Sequence, residues 1–331
     1  MSNERESLAV GGQAVMEGVM MRNGDNLSIA VRRPQGDIVV RNRPWFSITR
    51  RQIFTRPYLR GFPLLLETMI NGIKALNISA ELAMEAENGE IKPWQLVLTL
   101  LAALLFAVGL FVVAPHLITM LLNFFNISGG VEGFSFHLWD GAIKFGIFLL
   151  YIWAISRIPE IARVFQYHGA EHKAISAYEN NAVPVTVEAA LRESRLHPRC
   201  GTTFLLFVLS IAIILHVLLL PLLLLIWTPE SALQKHSVVI VLKLLLMIPI
   251  SALAYETIRY AARLENSILG RILRAPGLLL QTLTTREPDA GQLATALVAL
   301  NEALKSGDYY DEAPVETPPY TVLPEPAKNT R

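Results

Sequence analysis

Four long apolar runs, separated by short polar stretches, dominate the pattern of this chain. The first starts near Trp94 and ends near Leu122; the others cover about 138–156, 203–227 and about 237–258. Each can cross a hydrocarbon core of about 30 Å, which takes about 20 apolar residues. Pro115 is expected to kink or end the first run. Lys144 and Lys243 fall near the expected outer ends of their runs, where a lysine can snorkel its ammonium to the headgroups.

The flanking segments carry shorter periods. In "LSIAVRRPQGDIVVRNRPW", Ile29 and Val31 alternate on one side of a Pro-Gln-Gly-Asp turn and Ile38 and Val40 on the other, which predicts two strands. Residues 59–86 read as an amphipathic helix on or in the membrane surface, with Leu65, Met69, Ile73 and Leu76 at helical spacing. After the last run, "RYAARLENSILGRILRAPGLLLQTL" reads as an interfacial helix interrupted near Pro276. Glu287-Pro288-Asp289 then starts a helix whose stripe is Leu293, Leu297, Leu300 and Leu304. The tail 306–331, with five prolines and several acids, is expected to be disordered.

Composition supports a membrane class: 52% of the 331 residues are hydrophobic and 17% charged, against about 25% charged in soluble domains. A net charge of +1 gives no reason to expect a nucleic-acid partner. The N-terminus has no apolar stretch of its own and is not read as a signal peptide. Lys and Arg set the orientation. Residues 1–92 hold 12, the loop 123–137 none, the loop 157–202 six, the loop 228–236 one and residues 259–331 eight. That alternation fits four crossings with both termini and the 157–202 loop cytoplasmic.

The chemistry concentrates in that loop. In "FQYHGAEHKAI", His168 and His172 stand four apart with Glu171 between them, on the same helical face as Ile161, Val164, Phe165 and Ile175. This spacing lets two imidazoles share one divalent ion and holds a carboxylate beside it. His-x-x-Glu-His is the inverted form of a zinc-protease motif. "RLHPRCG" closes the loop with His197 and the single cysteine, Cys200, separated by two residues. Thiolate and imidazole together favour zinc over magnesium or calcium. Two readings stay open. In the first, Glu171 is a general base and the third metal ligand is Cys200 or His197. In the second, His168, His172, His197 and Cys200 close a structural clamp, or form a polar cluster without an ion. "VGGQAVMEGVMMR" has glycines that could form an anion nest, but it lacks the spacing of a nucleotide site. Its simpler reading is a strand and turn on the hairpin. Its Glu17, like Glu256 at the end of the fourth run, is a possible accessory to the metal site. His116 and His216 read as packed histidines.

Together "GGQAVMEGVMMR", "FQYHGAEHKAI", "RLHPRCGT" and "PGLLLQTLTTREPD" resemble the YqhQ-like family of bacterial membrane proteins, over about residues 8–304. The resemblance implies a multi-pass protein of the bacterial inner membrane, metal-dependent and of unknown function. The fold expected is mostly α and polytopic. A β-containing cytoplasmic region (1–58) and an amphipathic helix (59–92) precede a four-span domain (93–258), and cytoplasmic helices follow (259–305). The leading expectation is a zinc hydrolase at the cytoplasmic membrane face, with membrane lipid around it and a peptide or lipid-linked substrate. The alternative is a non-catalytic scaffold or biogenesis factor.

Overall fold

A computed structural model describes residues 10–50, 52–83, 93–180, 185–227, 229–264, 267–305 and 321–323. Its N-terminal part is an antiparallel meander of β1 (Val10–Val15), β2 (Gly18–Asn23), β3 (Asn26–Arg32) and β4 (Ile38–Pro44). The expected hairpin is β3–β4, with Ala30 opposite Val40 and Arg32 opposite Ile38. The Gly-rich segment supplies β1 and β2, joined at Glu17, which has φ 50°. Within the tail expected to be disordered, Thr321–Leu323 forms β5 and pairs with Ile38–Val40 of β4. The other residues after 305 lie outside the described ones.

Both faces of the sheet are covered, because side chains alternate along each strand. Val10, Val19, Met21, Ala30, Ile38 and Val40 pack on helices α5 (Pro159–Glu179) and α11 (Ala290–Lys305). Val15, Met20, Leu27, Ile29, Val31 and Val39 pack with Ala75, Ile78 and Leu82 of α1 (Gly61–Ala83). The Leu293, Leu297 and Leu300 stripe of α11 is buried as its period requires. In α1 the buried face is instead Glu67, Asn71, Gly72 and Ala75, while Met69 and Leu76 are exposed. That leaves its apolar stripe facing outward, as a helix at a bilayer surface would have it.

Among the described residues, four helices are long and apolar enough to cross a membrane. The first, Val97–Phe124, combines α2 (Pro93–Val108), a π-helical turn at Gly109–Val113 and α3 (Ala114–Phe124). Pro115 sits in the first turn of α3 and does not end the span; the wider turn just before it absorbs the hydrogen bond that proline cannot make. The second is α4 (Phe134–Ile155) and the third is α7 (Gly201–Ile226). The fourth, Ala232–Tyr260, divides into α8 (Ala232–Leu245) and α9 (Met247–Arg263). Pro249 cannot bond back to Leu245 across that division. A short α6 (Val187–Arg192) lies in the 157–202 loop, and α10 (Ile268–Thr284) follows the spans. Pro276 is carried inside α10 without interrupting it.

Lys144 and Lys243 do not snorkel. Both are buried, at 5% and 1% exposure, and both point to Asp140. A carboxylate on α4 offers them a closer partner than the headgroups do.

Candidate metal centre

Three elements bring the site together. Helix α5 carries His168, Glu171 and His172 on the side facing β1 and the start of α7. Cys200 is the N-cap of α7, and its Sγ accepts from the Thr202 N–H at 3.4 Å. The chain between α10 and α11 crosses over α5, with Arg286 N–H donating to the Phe165 carbonyl at 2.8 Å. Gly169 permits the crossing, since a Cβ there would lie 2.1 Å from the Arg286 carbonyl oxygen.

The ring orientations are fixed from behind. His168 Nδ1 donates to the Thr284 carbonyl at 2.8 Å, and His172 Nδ1 to the Arg195 carbonyl at 2.6 Å. Each Nε2 is thereby left with its lone pair, and these face the same point. His168 Nε2 is 3.2 Å from Cys200 Sγ. His172 Nε2 is buried with no hydrogen-bond partner. The ligand atoms of His168, His172 and Cys200 lie within 4.8 Å of one another, while two ligands sharing one zinc sit about 3.5 Å apart, within reach of a small rotamer adjustment. A backbone carbonyl behind each imidazole, an orphaned ring nitrogen and a thiol form a donor set that fits a zinc-type ion.

Glu171 lies beside this group, its Oε2 4.0 Å from His168 Nε2. The Gly12 backbone N–H bonds its carboxylate. Burial pushes the Glu171 carboxyl up to about 7, against the pull of His168 and the Gly12 N–H. Burial lowers His172 to about 3, helped by His168, and raises the Cys200 thiol to about 11, helped by Glu171. A neutral imidazole is the form that ligates metal; the thiol must lose its proton to do so. The group opens on a cleft of about 540 Å³, bordered by Val10–Ala14 of β1, Thr68, His197 and Arg199.

The remaining candidates stand elsewhere. His197 lines the cleft but turns its Nε2 to Glu179 at 3.4 Å, outside the three-ligand group. Its backbone is held on both sides by Gln281, at 2.9 Å each. Glu17, expected as an accessory, is instead engaged by Arg163 of α5 through both its oxygens, with Tyr167 OH at 3.5 Å. Glu256 is engaged by Arg60, Nε to Oε1 at 2.8 Å and Nη2 to Oε2 at 2.7 Å. Opposite charge within reach captured each acid before the metal site could. Sequence reasoning singled out Gly12 as part of an anion nest without placing Glu171 there, and it missed Arg195, Gln281 and Thr284. The only local signal for the last two was their polarity at the end of the apolar "LLLQTLTT" run.

Residues 56–306 match the family model described as Protein of unknown function (DUF1385). A protein of Bacillus subtilis (strain 168) described as "Uncharacterized protein YqhQ" is 31% identical over 321 residues, which span 92% of this chain and 95% of that protein. No solved structure matches the chain.

Proposed function

Since the chain belongs to the DUF1385 family of proteins of unknown function, the relatives supply no activity, and we propose from the site alone that it is a zinc-dependent hydrolase working at the cytoplasmic face of the bacterial inner membrane. The observation that carries the reading is the buried, unpartnered Nε2 of His172, held toward His168 and Cys200 by the Arg195 carbonyl. A buried polar atom without a partner costs about 1–3 kcal/mol, and a metal bond removes that cost.

His168, His172 and Cys200 would hold the ion. When bound, zinc polarises a scissile carbonyl and acidifies an attacking water. Three protein ligands with a cleft at the fourth position is the catalytic arrangement; a structural site closes all four. His197, turned to Glu179, leaves that position open. Glu171, at the cleft wall, accepts the proton of the attacking water and returns it to the leaving group. Gly12 holds the carboxylate in place by its N–H. Of the two substrate classes, a peptide has the better support. β1 ends the sheet order and borders the cleft, and an extended peptide can lie along an edge strand. The N-terminal sheet, α5 of the 157–202 loop and the C-terminal α11 share one core. They therefore belong on one side of the membrane, and the Lys and Arg distribution supports the cytoplasmic one.

The test is elemental analysis of purified protein beside a hydrolysis assay. Wild type should carry about one zinc per chain, and His172→Ala should carry none. Glu171→Gln should keep the metal and lose cleavage. Metal without hydrolysis in wild type would leave only the structural clamp, and full hydrolysis in Glu171→Gln would remove Glu171 from the chemistry.

A further inference from the structure

A second cluster of ionisable groups lies inside the spanning helices and takes no part in the metal centre. Asp140 of α4 is 2.6 Å from Lys243 Nζ of α8 through Oδ1 and 3.3 Å from Lys144 Nζ through Oδ2. Lys243 Nζ is 3.3 Å from His116 Nδ1 on α3, and His116 Nε2 is 2.9 Å from His236 Nδ1 on α8. Five titratable side chains from three helices thus form one unbroken hydrogen-bonded chain. His116, Asp140, Lys144 and Lys243 are 1–5% exposed, whereas His236 is half-buried. His236 sits in the second turn of α8, beside the Ser231–Gln234 capping box and the Lys235–Glu132 ion pair, at a polar rim.

The other titratable groups packed here are His137 of α4 and His216 of α7. His137 Nε2 is tied to the Val131 carbonyl at 2.9 Å and its Nδ1 has no partner. His216 is 3% exposed, has no partner on either ring nitrogen, and stands within electrostatic reach of Lys144, Lys243, Asp140 and His137. Charge bookkeeping separates this cluster from an inert ion pair. Two lysines share one carboxylate, so Asp140 balances one ammonium and leaves a second uncompensated. A cation site is ruled out by two amines at its centre. Ionisable residues in a membrane are expensive and are retained where something passes or binds.

We propose that this chain is a proton-uptake relay, entered at His236 and ending at Lys243 between Asp140 and His216. His236 takes a proton from water at its free ring nitrogen and passes its Nδ1 proton to His116 Nε2. His116 gives its Nδ1 proton to the Lys243 amine. The sum is one proton taken from water and one ammonium formed against Asp140, while Lys144 keeps its charge throughout. Cys200 caps one end of α7, and His216 lies sixteen residues along it, about 24 Å away. The relay therefore loads from the end of the bundle opposite the metal cleft.

Full-length protein in liposomes adsorbed on a solid-supported membrane tests this directly. A pH step should drive a transient charge displacement absent from protein-free membranes. His236→Gln and Lys243→Met should reduce it to the protein-free level while melting near the wild-type temperature. If Lys243→Met does not fold, His236→Gln at the rim decides the matter alone. No transient in wild type, or a full-sized one in folded His236→Gln, would overturn the relay.

Discussion

The backbone N–H of Gly12 on β1 bonds the carboxylate of Glu171 on α5, and a Cβ at position 12 would lie 2.8 Å from Glu171 Cγ. Strand and helix approach so closely only because residue 12 has no side chain. Gly12→Ala should therefore displace Glu171 without touching the metal ligands. Zinc content should stay at the wild-type level while hydrolysis falls by about 10²–10⁴-fold, the usual worth of a general base. Metal analysis and an activity assay on the same preparation check both halves.

Gly169→Ala attacks the site from the other side. The new methyl would lie 2.1 Å from the Arg286 carbonyl oxygen, so the segment after α10 must lift from α5. Thr284, two residues earlier, would withdraw its carbonyl from His168 Nδ1. Losing such a support costs about 10–100-fold in metal affinity. Competition with a zinc chelator measures it.

Metal removal should destabilise wild type but not the ligand variants. Ion binding to the folded state adds stability by mass action, about 4 kcal/mol at a thousandfold excess over Kd. A strong chelator should lower the wild-type melting temperature and leave those of His172→Ala and Cys200→Ser unchanged. Equal shifts in all three would mean that no ion is held by these residues.

The ion's affinity should rise with pH. Burial holds the metal-free Cys200 thiol up at about 11, so at neutral pH it enters the complex by giving up a proton. Each proton released makes the apparent affinity rise about tenfold per pH unit. Zinc titrations at pH 6 and pH 8 should show tighter binding at the higher value, with acid released into a weakly buffered medium.

Arg60 and Glu256 join the segment before α1 to α9 by a bidentate pair, with side chains 19% and 16% exposed. Removing either partner strands a partly buried charge. Arg60→Met should cost about 1–2 kcal/mol, and Glu256→Gln less. Neither should change metal content, which separates a brace from a ligand. Thermal melts and elemental analysis of both variants test this.

Much of the architecture was legible because membrane spans and amphipathic helices announce themselves by period. The β3–β4 hairpin was readable from Ile29, Val31, Ile38 and Val40 about a turn, and α11 from its leucine stripe. The meeting of His168 with His172 followed from helical spacing. Spacing does not say where a ring points, so His197 looked equivalent to Cys200 until Glu179 was seen to engage it. Lys144 and Lys243 misled for a related reason. Snorkelling is judged from a lysine's place along its own helix, whereas Asp140 engages Lys144 from one turn away on α4 and Lys243 from across a helix boundary. Glu17 and Glu256 had cationic partners from remote segments, which no local pattern reveals.

Helix α10 turns Ile268, Leu269, Ile272 and Leu279 outward, and presents the Gln281 side chain to the backbone of His197 and the Thr284 carbonyl to the ring of His168. Lipid tails against that outer surface would add a further layer of support behind His168. Bilayer thickness and lateral pressure, by setting how deep this helix rides, would then become tuning parameters for ion affinity. Micelles and native-like bilayers should accordingly report different zinc binding strengths for one unchanged sequence.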